Sequence, residues 1–134
     1  GVGIAQRALE LALRYSQERK TFGKPIAEHQ AIQFKLADMA TQVDAARLLT
    51  MRAARMKDAG ERSDLEAGMA KLFASEAGRF CVEECLRIHG GYGYSKEYEI
   101  ERLYRDAPLL LIGEGTSEIQ KMVIGRTLLK RHKI

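Results

Sequence analysis

Apolar residues recur with a helical period along nearly the whole chain. Ile4, Ala8, Leu11, Ala12 and Tyr15 share one face of a helix over residues 2–18. The other face carries Arg7, Glu10, Arg14 and Glu18, alternating in charge at i,i+3 and i,i+4 spacing. Gly23 and Pro25, in RKTFGKPIAEHQ, interrupt the pattern. A longer helix is predicted from about Ala27 to Lys57, with Ile32, Leu36, Met39, Val43, Ala46, Leu49, Met51, Ala53 and Met56 as its apolar side. Its length would be roughly 45 Å. DAGERSD reads as a turn, and Ser63 with Glu66 predicts a capping box opening a helix over Asp64–Ile88. Ala67, Ala70, Ala74 and Ala77 imply that this helix packs closely on a neighbour. Gly90 and Gly91 end it. A short helix over Glu97–Tyr104, with Pro108 beyond it, precedes a last helix from Thr116 or Ser117 to about Arg131. Ser117 and Gln120 form a second possible capping box. No stretch alternates with period two for long enough to predict a strand. The expected fold is all-α: an antiparallel four-helix-bundle-like domain with three long helices and a fourth at the end.

Composition narrows the class without changing this picture. The chain has 134 residues, 46% hydrophobic and 30% charged, which suits one soluble domain with one core. The net charge of +4 comes from basic residues interleaved with acids, so no nucleic-acid partner is implied. The one basic cluster, Lys130–Lys133, complements the negative end of the final helix. No apolar run approaches membrane-spanning length, and no basic-then-apolar leader is visible. Cys81 and Cys85, four apart, share a helix face as core thiols, a poor spacing for a disulfide and with no second pair for zinc. A reducing compartment and no metal site are expected. The opening Gly1 suggests a piece of a longer protein.

Three segments carry candidate chemistry. In LIGEGTSEIQ, Glu114 lies between Gly113 and Gly115, just before a helix and just after the apolar run Leu109–Ile112. A helix N-terminus favours the anion by about 0.3–1 kcal/mol. Burial acts the other way and can raise a Glu pKa by about 3–5 units. In an apolar setting Glu114 would be a base near neutrality; exposed, it is a helix-start acid. In RKTFG, Arg19, Lys20 and Thr21 can bind phosphate, with Phe22 packing on a ring, or simply close a cation-rich helix end. In RIHGGYGY, Gly90 and Gly91 permit close approach of a phosphate or ribose, or merely stop a helix. The latter is no dinucleotide fingerprint, because it follows a helix rather than a strand.

Together, AQRALELALRYSQERKTFGKPIAEHQAI, RIHGGYGYSKEYEIERLYRDAP and EGTSEIQ resemble, in this order and spacing, the C-terminal domain of the acyl-CoA dehydrogenases. The resemblance spans essentially all of the chain. It implies a preceding N-terminal helical domain and a middle β-barrel, neither present here. It implies oxidation of an acyl-CoA thioester between Cα and Cβ, with a glutamate removing the α-proton and hydride passing to FAD. That glutamate corresponds to Glu114, whose backbone N–H would also donate to the thioester oxygen. Arg19 and Thr21 resemble residues holding the FAD pyrophosphate, and Phe22 and Gln30 neighbours of its adenosine half. Arg87, Ile88, His89, Gly90 and Gly91 resemble the loop that closes on FAD from the adjoining subunit, though the family often has Gln where Arg87 stands. Thr116 and Glu118 correspond to positions beside the cofactor, and Gly115 to one beside the substrate. Many family members carry Tyr before the glutamate, whereas this chain has Gly113, which predicts room for acyl chains branched near Cα.

The implied partners are acyl-CoA, a second copy or copies in a homodimer or homotetramer, and an electron-transferring flavoprotein as acceptor. The implied compartment is the bacterial cytoplasm or, in a eukaryote, the mitochondrial matrix. An acyl-CoA oxidase domain is the nearest alternative. A non-enzymatic helical oligomerisation module is the alternative of a different class.

Overall fold

The computed structural model describes residues 1–134. Five helices form: α1 Val2–Glu18, α2 Gln30–Asp58, α3 Asp64–His89, α4 Glu99–Ile112 and α5 Ser117–Arg131. The antiparallel bundle read from the sequence is present, and α4 and α5 share its fourth position. Both run antiparallel to α3. Tyr104 beside Glu83 and Leu110 beside Gly78 place α4 along one half of α3. Ser117 bonded to Glu76, Ile124 beside Gly68 and Arg131 paired with Glu66 place α5 along the other half. The fourth helix is therefore one rod broken at residues 113–116. No helix is long and apolar enough to cross a membrane.

Helices α1 and α3 lie parallel: Gly1 touches Ala74 at one end, and Tyr15 stacks on His89 at the other. Ala5, Ala8 and Ala12 are fully buried along this seam, and small side chains allow the close approach. Met39, Val43, Cys81, Val82, Cys85, Ile100 and Leu103 complete the main core. Burial pushes the Cys81 and Cys85 thiols up to about 12, so both remain protonated packing groups. On α3, Ala70, Ala74 and Ala77 are buried as expected, but Ala67 is exposed and Gly68 faces α5 instead.

Several boundaries differ from the sequence reading. Ile26–Glu28 is a 3-10 turn, so α2 starts at Gln30 rather than Ala27. A minimal antiparallel pair, β1 Lys20–Thr21 with β2 Lys24–Pro25, forms where no strand was expected; two residues are too few to show a period. Ser63, at φ −120° and ψ 18°, lies outside the extended region usual for a cap and makes no capping bond, and Glu66 turns inward to meet Arg52 at 3.5 Å and Arg131 at 3.4 Å. Its Oε2 has no hydrogen-bond partner, so the two guanidiniums are what offset the burial of this charge. Helix α4 runs through Pro108 to Ile112 instead of stopping near Tyr104. Proline inside a helix costs about 3 kcal/mol. Buried Ile100, Leu103 and Ala107 hold the helix onto α3 against that cost. The cap of α5 is Thr116, whose hydroxyl oxygen accepts from the Ile119 N–H at 3.3 Å. Ser117 donates to Glu76 instead, at 3.1 Å.

Candidate functional site

The break in the fourth helix presents Glu114. Gly113 ends α4 in an extended conformation, φ −69° and ψ 147°. Glu114 and Gly115 then both take positive φ, 55° and 92°. For a non-glycine residue this conformation costs about 1–2 kcal/mol. Two side chains hold it. Lys71 Nζ donates to the Gly115 carbonyl at 2.6 Å, and Gln120 Nε2 donates to the Glu114 carbonyl at 3.2 Å. The Glu114 N–H donates to no acceptor in the chain. The carboxylate is exposed, at the edge of a cavity lined by Lys71, Ala74, Ser75, Leu109, Leu110 and Gly113. Leu109 and Ile112 are 65% and 64% exposed, so the apolar run is the bare last turn of α4. The arrangement offers a carboxylate, a free amide donor and an apolar wall at one point. Neither Lys71 nor Gln120 was marked as a site residue by the sequence, since a lysine within α3 reads as an ordinary surface position and Gln120 reads as half of a capping box with Ser117.

A second cavity, of about 470 Å³, lies where α1 and α3 end. It gathers Arg19, Thr21, Ile88, His89, Gly90 and Gly91, together with Tyr15, Ile26 and Tyr92. Its floor is aromatic: Tyr15 stacks on His89 at 4.1 Å, and Tyr98 meets both rings edge-on. Burial lowers the His89 pKa, keeping the ring neutral, and a neutral Nδ1–H donates to the Cys85 carbonyl at 2.8 Å. The Arg19 guanidinium lies 5.8 Å above the Tyr92 ring as a cation–π contact. Space is open above Gly90 and Gly91, with nothing within 4 Å of where a Cβ would stand. A guanidinium, a hydroxyl and bare backbone fit a phosphate.

The other residues singled out by the sequence lie outside both cavities. Phe22 is 97% exposed at the hairpin tip, and Gln30 is exposed at the start of α2. Arg87 pairs with Glu83 at 2.8 Å and is not among the residues lining the second cavity. Thr116 and Glu118 stay with Glu114 at the break; hydrogen bonds from Glu118's own backbone and from the Thr116 hydroxyl hold the Glu118 carboxyl below its ordinary range. The two clusters are separated along the α1–α3 seam by about fifteen residues of helix, roughly 22 Å. Sequence proximity hid a further partner of Thr21: His29 Nε2 lies 2.9 Å from its Oγ1.

Known proteins share both the sequence and the fold. A family profile described as "Acyl-CoA dehydrogenase, C-terminal domain" matches residues 1–129. The chain is 56% identical over 129 residues to a 3-(aryl)acrylate reductase of Clostridium sporogenes, covering 96% of this chain and 34% of that protein. It is 57% identical over 129 residues to a probable acyl-CoA dehydrogenase of Bacillus subtilis, YngJ, with the same coverage. The structure of butyryl-CoA dehydrogenase from Megasphaera elsdenii superposes with a TM-score of 0.94 at 47% identity, over 96% of this chain and 33% of that one. The chain thus spans about a third of the length of its relatives. It belongs to the acyl-CoA dehydrogenase family, as that family's C-terminal helical domain.

Proposed function

We propose that this chain supplies the base and part of the cofactor site of an FAD-dependent enzyme acting on the Cα–Cβ bond of an acyl-CoA thioester. The observation that carries the reading is the break at Glu114, where an exposed carboxylate, an unused amide donor and an apolar wall meet. The carboxylate takes the proton from Cα. The Glu114 N–H donates to the thioester oxygen, where charge develops as that proton leaves. Leu109 and Leu110 cover the acyl chain and keep water from the carboxylate. Lys71 and Gln120 fix the backbone that aims both groups. FAD, when bound, supplies the acceptor for the β-hydrogen with its electron pair. In the reverse direction Glu114 returns a proton to Cα, and a relative named as a reductase favours keeping both directions open.

The phosphate-binding end is assigned to Arg19, Thr21 and the backbone of Ile88–Gly91, with Phe22 and Gln30 toward the adenosine half. Thr116 and Glu118 flank the cofactor and Gly115 the substrate. Arg87, whose largely exposed guanidinium is ion-paired with Glu83, is proposed for the same cofactor as part of that loop. Arg19 and Thr21 share one cavity with Ile88–Gly91, so these groups serve one cofactor from one chain. Glu114, roughly 22 Å away along the bundle, serves another. That division requires a homodimer or homotetramer with each FAD bridged between subunits. Exposed Phe34, Leu48 and Met51 on α2, and Ile119, Met122 and Leu129 on α5, supply apolar surface for such contacts. An N-terminal helical domain and a β-barrel would complete the site, and an electron-transferring flavoprotein would receive the electrons.

Glu114→Gln in the full-length enzyme tests the base. It should retain FAD and lose flavin bleaching on anaerobic addition of acyl-CoA, by about 100-fold or more. Bleaching at the wild-type rate sinks the assignment.

A further inference from the structure

Thr21 has a single hydroxyl proton, and its oxygen lies 2.9 Å from His29 Nε2. Two arrangements satisfy that distance. With the ring proton on Nδ1, Nε2 is an acceptor and takes the hydroxyl proton. Thr21 then turns only lone pairs toward the cavity it lines, and lone pairs repel a phosphate oxygen. With a proton on Nε2, the ring donates to Oγ1, and the hydroxyl proton is free to donate into the cavity. A pyrophosphate diester offers acceptors alone. It therefore binds well to only one of the two arrangements.

We infer that His29 is a positioning residue for the phosphate-binding cavity: its Nε2–H donates to Thr21 Oγ1 and so makes the Thr21 hydroxyl a phosphate donor. The inference rests on the reading that this cavity receives the FAD pyrophosphate. His29 is suited to the role by its place. It is the half-buried residue just before α2, fixed by a backbone bond from its N–H to the Ile26 carbonyl at 3.0 Å. The Phe22 ring stands edge-on to it at 6.1 Å, so the hairpin and the start of α2 meet through this imidazole. His89, the other histidine of the region, has the opposite tautomer, because its neutral ring must donate from Nδ1 to the Cys85 carbonyl.

The test uses the full-length holoenzyme. FAD dissociation constants are measured for wild type, Arg19→Ala, Thr21→Val, His29→Leu, the Thr21→Val/His29→Leu double variant and His29→Gln. Ring nitrogens are read from the difference between the 15N spectra of histidine-labelled wild type and His29→Gln, with FAD bound. A hydrogen bond to a charged group lost from Thr21 should weaken FAD about 10- to 100-fold. His29→Leu should match Thr21→Val, the double variant should be no worse than either, and His29→Gln, whose amide can donate, should recover most of the affinity. The His29 Nε2 signal should be that of a protonated nitrogen. If Arg19→Ala and Thr21→Val weaken FAD while His29→Leu does not, or if Nε2 is unprotonated in the holoenzyme, the role of His29 is overturned and the cavity assignment stands. If none of the variants weakens FAD, the cavity assignment falls, and the role of His29 falls with it.

Discussion

Two turns in this chain pair a left-handed non-glycine residue with a left-handed glycine. Phe22 and Gly23 have φ of 51° and 80°, and Glu114 and Gly115 have φ of 55° and 92°. Each pushes one side chain into solvent, and each pushed residue is one that the family resemblance assigns to the site. Their supports differ. The Phe22 turn is closed by the two register pairs Lys20–Pro25 and Thr21–Lys24, and a Cβ on Gly23 would meet nothing within 4 Å. The Glu114 turn has no strand pairing. Its carbonyls are held by Lys71 of α3 and Gln120 of α5, and a Cβ on Gly115 would stand 2.9 Å from Gln120 Nε2. A side chain that needs only to touch a ligand can ride on a local hairpin. On the proposed reading, a base that must be aimed at a single carbon atom is tied to two helices, which is how preorganisation would be obtained from an irregular segment.

The glycines should separate the two turns most widely. Gly115→Ala places a side chain at φ 92° and displaces the amide that holds the Glu114 carbonyl. The expected cost is about 2–3 kcal/mol. Gly23→Ala meets open space and carries only the left-handed penalty, about 1–2 kcal/mol. Urea unfolding of the 134-residue chain followed by circular dichroism measures both. Equal losses would mean that the clamp around Glu114 contributes nothing.

Removing the clamp from the other side is a smaller change. Lys71→Met keeps the length of the side chain and deletes the donor to the Gly115 carbonyl. A charge-assisted bond at a half-exposed position contributes about 1–2 kcal/mol. In the full-length enzyme the variant should keep its FAD and lower kcat more than it raises KM, since it loosens the base rather than the substrate pocket. A stable variant with unchanged kcat would show that Gln120 alone positions the turn.

The helices themselves were legible because their apolar stripes repeat over many turns, from Ile4 to Tyr15 and from Ile32 to Ala53. What escaped the sequence was decided by contacts between distant residues. Glu66 reads as the second half of a capping box until Arg52 and Arg131 arrive to meet it. The helix ahead of Pro108 reads as ending at Tyr104 until the packing of Ala107 and Leu110 on α3 carries α4 through the proline. Among site residues, Glu114, Arg19 and Thr21 stood out through their motifs. Lys71 and His29 did not, because each acts on a neighbour's backbone or hydroxyl and has no spacing signature of its own.

The smallest structural effect is expected at the glycine on the other side of Glu114. Gly113 is extended at φ −69°, which any residue adopts, so it is not required there by backbone conformation. A Cβ would stand 3.1 Å from the Leu109 carbonyl oxygen, a tight contact that a few tenths of an ångström relieves. Gly113→Tyr should therefore change stability by no more than about 1 kcal/mol, well below Gly115→Ala. Its effect belongs to the cavity instead, because Gly113 lines the space beside Glu114 with Leu109 and Leu110. A ring there fills volume that a substituent near Cα would otherwise occupy, and each well-fitting methylene is worth about 1–3 kcal/mol in selectivity. The full-length enzyme should accept isobutyryl-CoA or 2-methylbutyryl-CoA at least as well as butyryl-CoA by kcat/KM, and Gly113→Tyr should shift the ratio toward the straight chain about tenfold or more. A wild type that already prefers butyryl-CoA tenfold, with Tyr at 113 changing nothing, would place the wall of the acyl pocket outside this domain.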